Sequence, residues 1–318
     1  MAYRQDEGSD LSWLEEEIQP DCKWSLRVKN VLHSGKSNFQ SVELVETDTY
    51  GKVLLLDGKS QSAEADEFVY HELLVHPAML AHPNPKSVFI AGGGEGATAR
   101  EVLRHKSVER VLMVDIDKVV CDFCRQHLAA NKEAYADPRL ELVNDDAAAQ
   151  LEATEERFDV IVADLADPVD GGPCYQLYTQ EFYQDILKPR LNPGGIFVTQ
   201  SGPAGVLTSR EVFTPINNTL ASVFGHTIAY AAHIPSYVDT WGFNMASSEP
   251  NLQLSPAGMV DALLSERISS ELKFLDGPTL QAALALNKPV KKALQEETNI
   301  YTKDNPRFIH GAGFKAGQ

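Results

Sequence analysis

Basic residues are scarce in this chain. Lysine and arginine number 28 against 45 aspartates and glutamates, which leaves a net charge of −17 at neutral pH. That balance argues against a nucleic-acid or anionic-membrane partner, because both attract basic surfaces. It would instead steer a cationic ligand toward the protein. Cysteine is sparse too: four thiols (Cys22, Cys121, Cys124, Cys174) in 318 residues cannot staple a chain this long, and a reducing, cytoplasmic setting fits them. No apolar run approaches the roughly 20 residues that cross a bilayer. The opening stretch MAYRQDEGSDLSWLEEEI is acidic and lacks the basic-then-apolar pattern of a secretory signal. There is no internal repeat and no low-complexity tract. A hydrophobic share of 43% is ordinary for a chain that buries a real core.

The periodicities divide the chain in two. Residues 1–20 read as a polar arm followed by a short helix. From Cys22 to Gln61 apolar and polar residues alternate as in strands (Trp24, Leu26, Val28; Val42, Leu44), with a turn at DTYG before Val53–Leu56. Residues 65–81 carry a helical pattern that HPNP at 82–85 interrupts. This divides the chain into a β-rich unit, residues 1–82, and a second unit, 83–318. In the second, strands alternate with helices: Ser87–Ala91, Val111–Val114, Leu140–Val143, Val160–Ala163 and Ile196–Thr199 are short apolar runs with helical stripes between them. The expectation is an α/β fold with a doubly wound, mostly parallel sheet, whose ligands lie at the carboxyl ends of the strands. Residues 250–318 read as mixed helix and loop.

The chemistry gathers at those strand ends. GGGEG at 92–96 follows the first strand, where glycines permit a sharp turn and a close backbone approach to a ligand. Asp115 ends the second strand, placed to accept ribose hydroxyls. Asp146 ends the third, as an adenine contact or as the N-cap of the next helix. The glycine loop holds no basic residue to meet a pyrophosphate. Glu95 stands there instead, and it would repel phosphates but accept a cationic tail. Adenosine plus a cation describes a sulfonium nucleoside. The fourth strand ends in Asp164-Leu165-Ala166-Asp167-Pro168, so that Glu95, Asp115, Asp164 and Asp167 should face one cleft; clustered anions need cations to stabilise them.

These segments resemble the spermidine/spermine synthase family over about residues 20–250. The matching stretches are VLLLDGKSQSAEADEFVYHE, HPNPKSVFIAGGGEG, VDID, DLADPVDGGPCYQLYTQEFY, GIFVTQSGPAG and IPSYVDTWG, with RFIHG extending the likeness toward the end. Within the family the likeness is greatest to the plant-type thermospermine branch. The resemblance implies a small N-terminal β-rich domain, a Rossmann-like, methyltransferase-type catalytic domain, and a homodimer or homotetramer. It also implies transfer of the aminopropyl group of decarboxylated S-adenosylmethionine, a co-substrate rather than a cofactor, onto a polyamine. No metal site is expected, because the histidine spacing does not suit one.

Carried over by position, Gln40 would sit near the donor's thioether and ribose, with Gly92, Gly93 and Gly94 as the donor loop. Asp115 would hold the ribose, Asp146 and Ala147 the adenine, and Pro173 would line the adenine pocket. Glu95 replaces an aspartate that grips the donor's amine. Asp164 matches the proton acceptor and Asp167 an acceptor-binding carboxylate, with Gln61, Tyr70, His71, Gln200 and Tyr237 along the amine channel. Leu165 and Ala166 stand where spermidine synthases usually carry two serines, which argues for spermidine over putrescine as acceptor. Ala147 replaces a common glycine.

Other readings fare worse. His71-Glu72 with His76 lacks the i,i+4 histidine spacing of a zinc helix. Cys121 and Cys124 lie in a helical segment and read as buried structural residues. A methyltransferase would have to seat the carboxylate of S-adenosylmethionine beside Glu95. A silent polyamine-binding protein would not need Asp164 and Glu95 together.

Overall fold

The computed structural model describes residues 3–5, 12–19, 21–169, 172, 174–250, 252–306 and 308–309. Its N-terminal part consists of β1 (Tyr3–Gln5), β2 (Ser12–Gln19), β3 (Cys22–Val28), β4 (Asn30–Lys36), β5 (Ser41–Thr47), β6 (Gly51–Leu56) and β7 (Lys59–Ala63). The first three strands form one antiparallel sheet and the other four a second. Leu14, Leu26, Val28, Val45, Val53 and Leu55 make a common core between them. Ser12–Gln19 therefore departs from the expected short helix. Three successive glutamates favour helix in isolation, but pairing with β3 sets Leu14 opposite Leu26 and leaves it 1% exposed. Burial against a partner strand overrides a weak local propensity.

Helix α1 (Glu67–Ala81) is buried almost continuously from Val69 to Leu80. Pro77 sits inside it and cannot donate to the carbonyl of Leu73. The Tyr230 hydroxyl donates to that carbonyl instead, at 2.9 Å, so the proline leaves no orphaned acceptor. The division at residue 82 assigns α1 to the N-terminal strands, yet its side chains pack into the core of the large sheet described next.

That sheet uses β8 (Ser87–Gly92), α2 (Ala97–Leu103), β9 (Arg110–Val114), α3 (Lys118–His127), α4 (Lys132–Ala136), β10 (Leu140–Val143), α5 (Ala147–Ala153), β11 (Phe158–Asp164), β12 (Leu191–Pro203), α6 (Phe213–Phe224), β13 (His226–Ile234) and β14 (Asp239–Ser247). The strand order is β10-β9-β8-β11-β12-β14-β13, parallel from β10 through β12, with β14 and β13 added antiparallel. Successive residues of the central strands face opposite sides. Val88, Ile90, Val111, Met113, Val160 and Val162 join α1 and α2 on one face. Phe89, Ala91, Leu112, Ile161, Ala163 and Phe197 join α5 and α6 on the other. Both faces are covered, which is why these strands read as solid apolar runs rather than as alternating ones. Helices α7 (Ala257–Arg267), α8 (Gly277–Leu284) and α9 (Lys288–Glu296) complete the described chain.

Two features set up the site. The chain reverses its winding between β8 and β11, and a crevice opens there at the carboxyl ends of the strands. Val120 and Cys124 of α3 pack on Val42 and Leu54 of the N-terminal sheet, which holds that sheet over the crevice.

Candidate active site

The glycine loop draws three strand ends together. Gly92, Gly93 and Gly96 take φ of +79°, +76° and +90°, a region open mainly to glycine. A side chain at Gly92 would run into the carbonyl oxygen of Asp164, and one at Gly94 would lie 2.6 Å from Asp115 Oδ2. With no side chain in the way, Gly93 N–H donates to the Asp164 carbonyl at 3.0 Å and Gly94 N–H to Asp115 Oδ2 at 2.9 Å. The loop thus fixes where two of the expected carboxylates stand.

A single cavity of about 660 Å³ opens above this loop. It is lined by Gln40, Gly92, Gly93, Gly94, Glu95, Asp115, Asp146 and Ala147, and equally by Gln61, Tyr70, His71, Asp164, Asp167, Gln200 and Tyr237. The expectation that Glu95, Asp115, Asp164 and Asp167 face one cleft matches this geometry. Pro173 lies outside the described residues. Asp146 borders the cavity, and its Oδ1 caps α5 by accepting from Ala148 and Ala149 at 2.7 and 3.1 Å. Gln40 is held by its amide, which donates to Asp117 Oδ2 at 3.1 Å.

At the centre, each Asp164 carboxylate oxygen has one donor. Tyr70 hydroxyl reaches Oδ1 at 2.6 Å and Thr98 hydroxyl reaches Oδ2 at 2.5 Å. The carboxylate is fixed in orientation and keeps lone pairs for a group arriving from the cavity. Asp167 is pushed up to about 6, chiefly by burial and against the hydrogen bond it accepts from Gln200 Nε2 at 3.0 Å. Gln200 also donates to the Leu165 carbonyl at 2.8 Å and accepts from Gly202 N–H and the Trp241 indole. Its amide is engaged within the protein, so it orients Asp167. Tyr237 hydroxyl donates to the Gln61 carbonyl at 2.6 Å, and its ring meets Trp241 edge-on.

Glu95 accepts from Ser62 hydroxyl at 2.8 Å, and His71 Nε2 lies 4.0 Å away. Burial pushes Glu95 up to about 6, a rise that His71 and Ser62 oppose. Burial disfavours a charged His71. The hydrogen bond to Glu67 and the charges of Glu95, Glu67 and Asp164 outweigh it and raise the imidazole to about 9. Its Nδ1–H donates to Glu67 Oε2 at 2.8 Å, and Arg100 meets the same oxygen at 2.8 Å. Thr98, Ser62, Glu67 and Arg100 escaped the sequence reading. Thr98 carried the best available signal, a hydroxyl in the first turn after the glycine loop.

The zinc-like trio separates in space. His71 faces the cavity, whereas Glu72 accepts the backbone N–H groups of Lys273, Phe274 and Leu275 at 2.8–2.9 Å. His76 is fully buried beside Glu101 and His105. Ligand atoms of Glu67, His71 and Glu95 do lie within 4.8 Å of one another, but the Arg100 guanidinium is already bonded to Glu67. Cys121 and Cys124 are free thiols that burial holds well above their ordinary range.

An α/β crevice that sets Asp115 beside the half-buried carboxylates Glu95, Asp164 and Asp167 is suited to a cationic ligand at the carboxyl ends of the strands. Comparison with known proteins places it more closely. Residues 67–256 match the spermine/spermidine synthase domain and residues 12–64 the spermidine synthase tetramerisation domain, and the chain belongs to the spermine/spermidine synthase family. It is 55% identical over 305 residues to a thermospermine synthase of Arabidopsis thaliana, covering 96% of this chain and 89% of that one. It is 43% identical over 302 residues to a polyamine aminopropyltransferase of Aeropyrum pernix, covering 94% and 95%. Among solved structures, a spermidine synthase in complex with the transition-state analogue AdoDATO superposes with a TM-score of 0.80 at 30% identity, covering 90% of this chain and 95% of that one. The Thermotoga maritima spermidine synthase gives 0.79 at 30%, covering 90% and 94%. The matched tetramerisation domain marks the chain as one that forms oligomers. Among the described residues no helix is long and apolar enough to cross a membrane.

Proposed function

We propose that this chain transfers the aminopropyl group of decarboxylated S-adenosylmethionine to spermidine, giving thermospermine and methylthioadenosine. One observation carries the reading: a nucleoside-type wall (Asp115, Asp146, Ala147) and the carboxylates Glu95, Asp164 and Asp167 share one continuous cavity. The Arabidopsis relative is named a thermospermine synthase and the Aeropyrum relative a polyamine aminopropyltransferase, which supports it. Asp115 takes the ribose hydroxyls, Asp146 and Ala147 the adenine, and Gln40 the region of the thioether. Glu95 holds the donor's ammonium and disfavours the extra carboxylate of S-adenosylmethionine, which sets the methyltransferase reading aside.

The acceptor lies along Gln61, Tyr70, His71 and Tyr237, its distal ammonium near Asp167. The neutral amine attacks the carbon next to the sulfonium. An N–C bond forms, the C–S bond breaks, and its electron pair neutralises sulfur as methylthioadenosine leaves. Asp164, held by Tyr70 and Thr98, accepts the proton that the nitrogen sheds and stabilises the charge it gains. No cofactor is needed, since the donor is consumed as a substrate. The working form is a homodimer or homotetramer in the cytoplasm. The test is reaction of the purified enzyme with donor and spermidine, with the polyamine products resolved by chromatography.

A further inference from the structure

The RFIHG segment near the end of the sequence lies beyond residues 67–256, which match the synthase domain. Of its described residues, Phe308 and Ile309, the second reaches the substrate cavity. Ile309 lines that cavity and belongs to the apolar cluster of Ala147, Leu165, Cys174 and Leu177, each of which also lines it. Ile309 N–H donates to the carbonyl of Pro168 at 2.9 Å, one residue past Asp167. The Phe308 ring meets Tyr175 edge-on at 5.8 Å, seven residues past Pro168. Two successive residues of the tail thus contact the chain that follows β11, at Pro168 and at Tyr175.

The approach is anchored as well. The Asn299 carbonyl accepts from Asn218 Nδ2 at 2.9 Å. Tyr301 is 1% exposed, its N–H donates to Thr219 Oγ1 at 2.9 Å, and its hydroxyl donates to the carbonyl of Glu211, another cavity residue, at 3.2 Å. Gln180 N–H donates to the Tyr301 carbonyl at 2.8 Å. A buried ring and three backbone hydrogen bonds fix the path by which the tail arrives at the cavity.

We propose that the C-terminal segment is part of the substrate site. Ile309 supplies an apolar wall at the donor's adenosine end, and the Ile309–Pro168 and Phe308–Tyr175 contacts position the loop that carries Asp167. Ile309 is a binding residue on this account, and Phe308, which acts through Tyr175, is a positioning residue. The inference rests on the donor reading of the site. It adds that donor affinity depends on the last described residues of the chain, about 145 positions beyond Asp164.

Methylthioadenosine binding to the full-length protein tests this without turnover. Ile309→Ala should weaken it about tenfold, the low end of what one lost apolar pocket contact gives, and Ile309→Val should recover most of that. Phe308→Ala should raise the acceptor KM with kcat little changed, which a merely structural role would not produce. Both side chains are half-buried near the chain end, so the unfolding midpoint should stay near wild type. Wild-type protein that fails to bind methylthioadenosine would overturn the donor reading itself. Wild-type binding with Ile309→Ala within twofold of it, or an Ile309→Ala loss that appears only with a collapsed unfolding midpoint, would overturn the role of the tail alone.

Discussion

Glu95 offers the sharpest test of how the donor is held, because its charge changes inside an accessible pH range. Burial pushes the carboxyl up to about 6, with His71 and Ser62 resisting the rise. The donor's ammonium needs the carboxylate ionised, so binding is strongest above that pH and weakens as pH falls through it. One unit below the midpoint about one molecule in eleven is ionised, so donor affinity at pH 5 should be about tenfold below its plateau. His71, raised to about 9, stays charged over this window and contributes no slope. Asp115 is also raised, by burial, and could add a slope of its own. Glu95→Gln separates the two. It should lose a charge-assisted hydrogen bond of about 1.5–3 kcal/mol, equivalent to about 10- to 150-fold in affinity above pH 7. It should also flatten the dependence between pH 7 and 5 and narrow the preference over S-adenosylmethionine. Calorimetric titration with donor alone, without acceptor, reads all three. A wild-type affinity constant from pH 7 to 5, or a Glu95→Gln protein that keeps the wild-type slope, would refute the placement of the ammonium at Glu95.

Two further outcomes follow from the geometry. Asp164→Asn should keep methylthioadenosine affinity while losing about 10²–10⁴ in kcat, and wild-type kcat should rise toward alkaline pH as the acceptor amine becomes neutral. Near-normal turnover of that variant at saturating substrates would move the proton acceptor to Asp167. Away from the chemistry, Glu101 is fully buried, and His76, Arg100 and Arg104 outweigh its burial and depress it to about 2. Glu101→Gln should cost about 1.5–3 kcal/mol in urea unfolding at pH 7, since charge-assisted hydrogen bonds are lost while Arg100 keeps Glu67 and Arg104 keeps the Glu271 carbonyl. The wild-type contribution is full above the ordinary glutamate range and is lost as pH falls toward 2. An unfolding midpoint unchanged by the substitution would show that the network adds nothing to stability.

What was legible in the sequence follows burial and backbone chemistry. Ser87–Ala91 and Val160–Ala163 read as strands because both faces of their apolar residues are covered, and GGGEG reads as a ligand loop because Gly92, Gly93 and Gly96 take positive φ. Asp115, Asp146 and Asp164 follow from position, each at or just beyond the end of a parallel strand. The strand Ser12–Gln19 was hidden because its glutamates carry helical propensity and its pairing partner is set by the fold. The β13–β14 hairpin went unassigned because its antiparallel pairing with β12 joins distant segments, which no local pattern signals. Thr98 and Ser62 gained a role only when folding set them against Asp164 and Glu95. The residues around His71 were missed for the same reason: Arg100 reaches Glu67 across 33 positions. Charge and glycine announce themselves in a sequence, whereas neutral hydroxyls and second partners do so only in the folded chain.

The measurement that bears most directly on the central claim is the product formed from spermidine and decarboxylated S-adenosylmethionine by the purified protein, resolved by chromatography against thermospermine and spermine standards. The account predicts thermospermine, one methylthioadenosine released per aminopropyl group transferred, and far slower reaction with putrescine at the site backed by Leu165 and Ala166. Spermine as the main product, or putrescine used as well as spermidine, would contradict it.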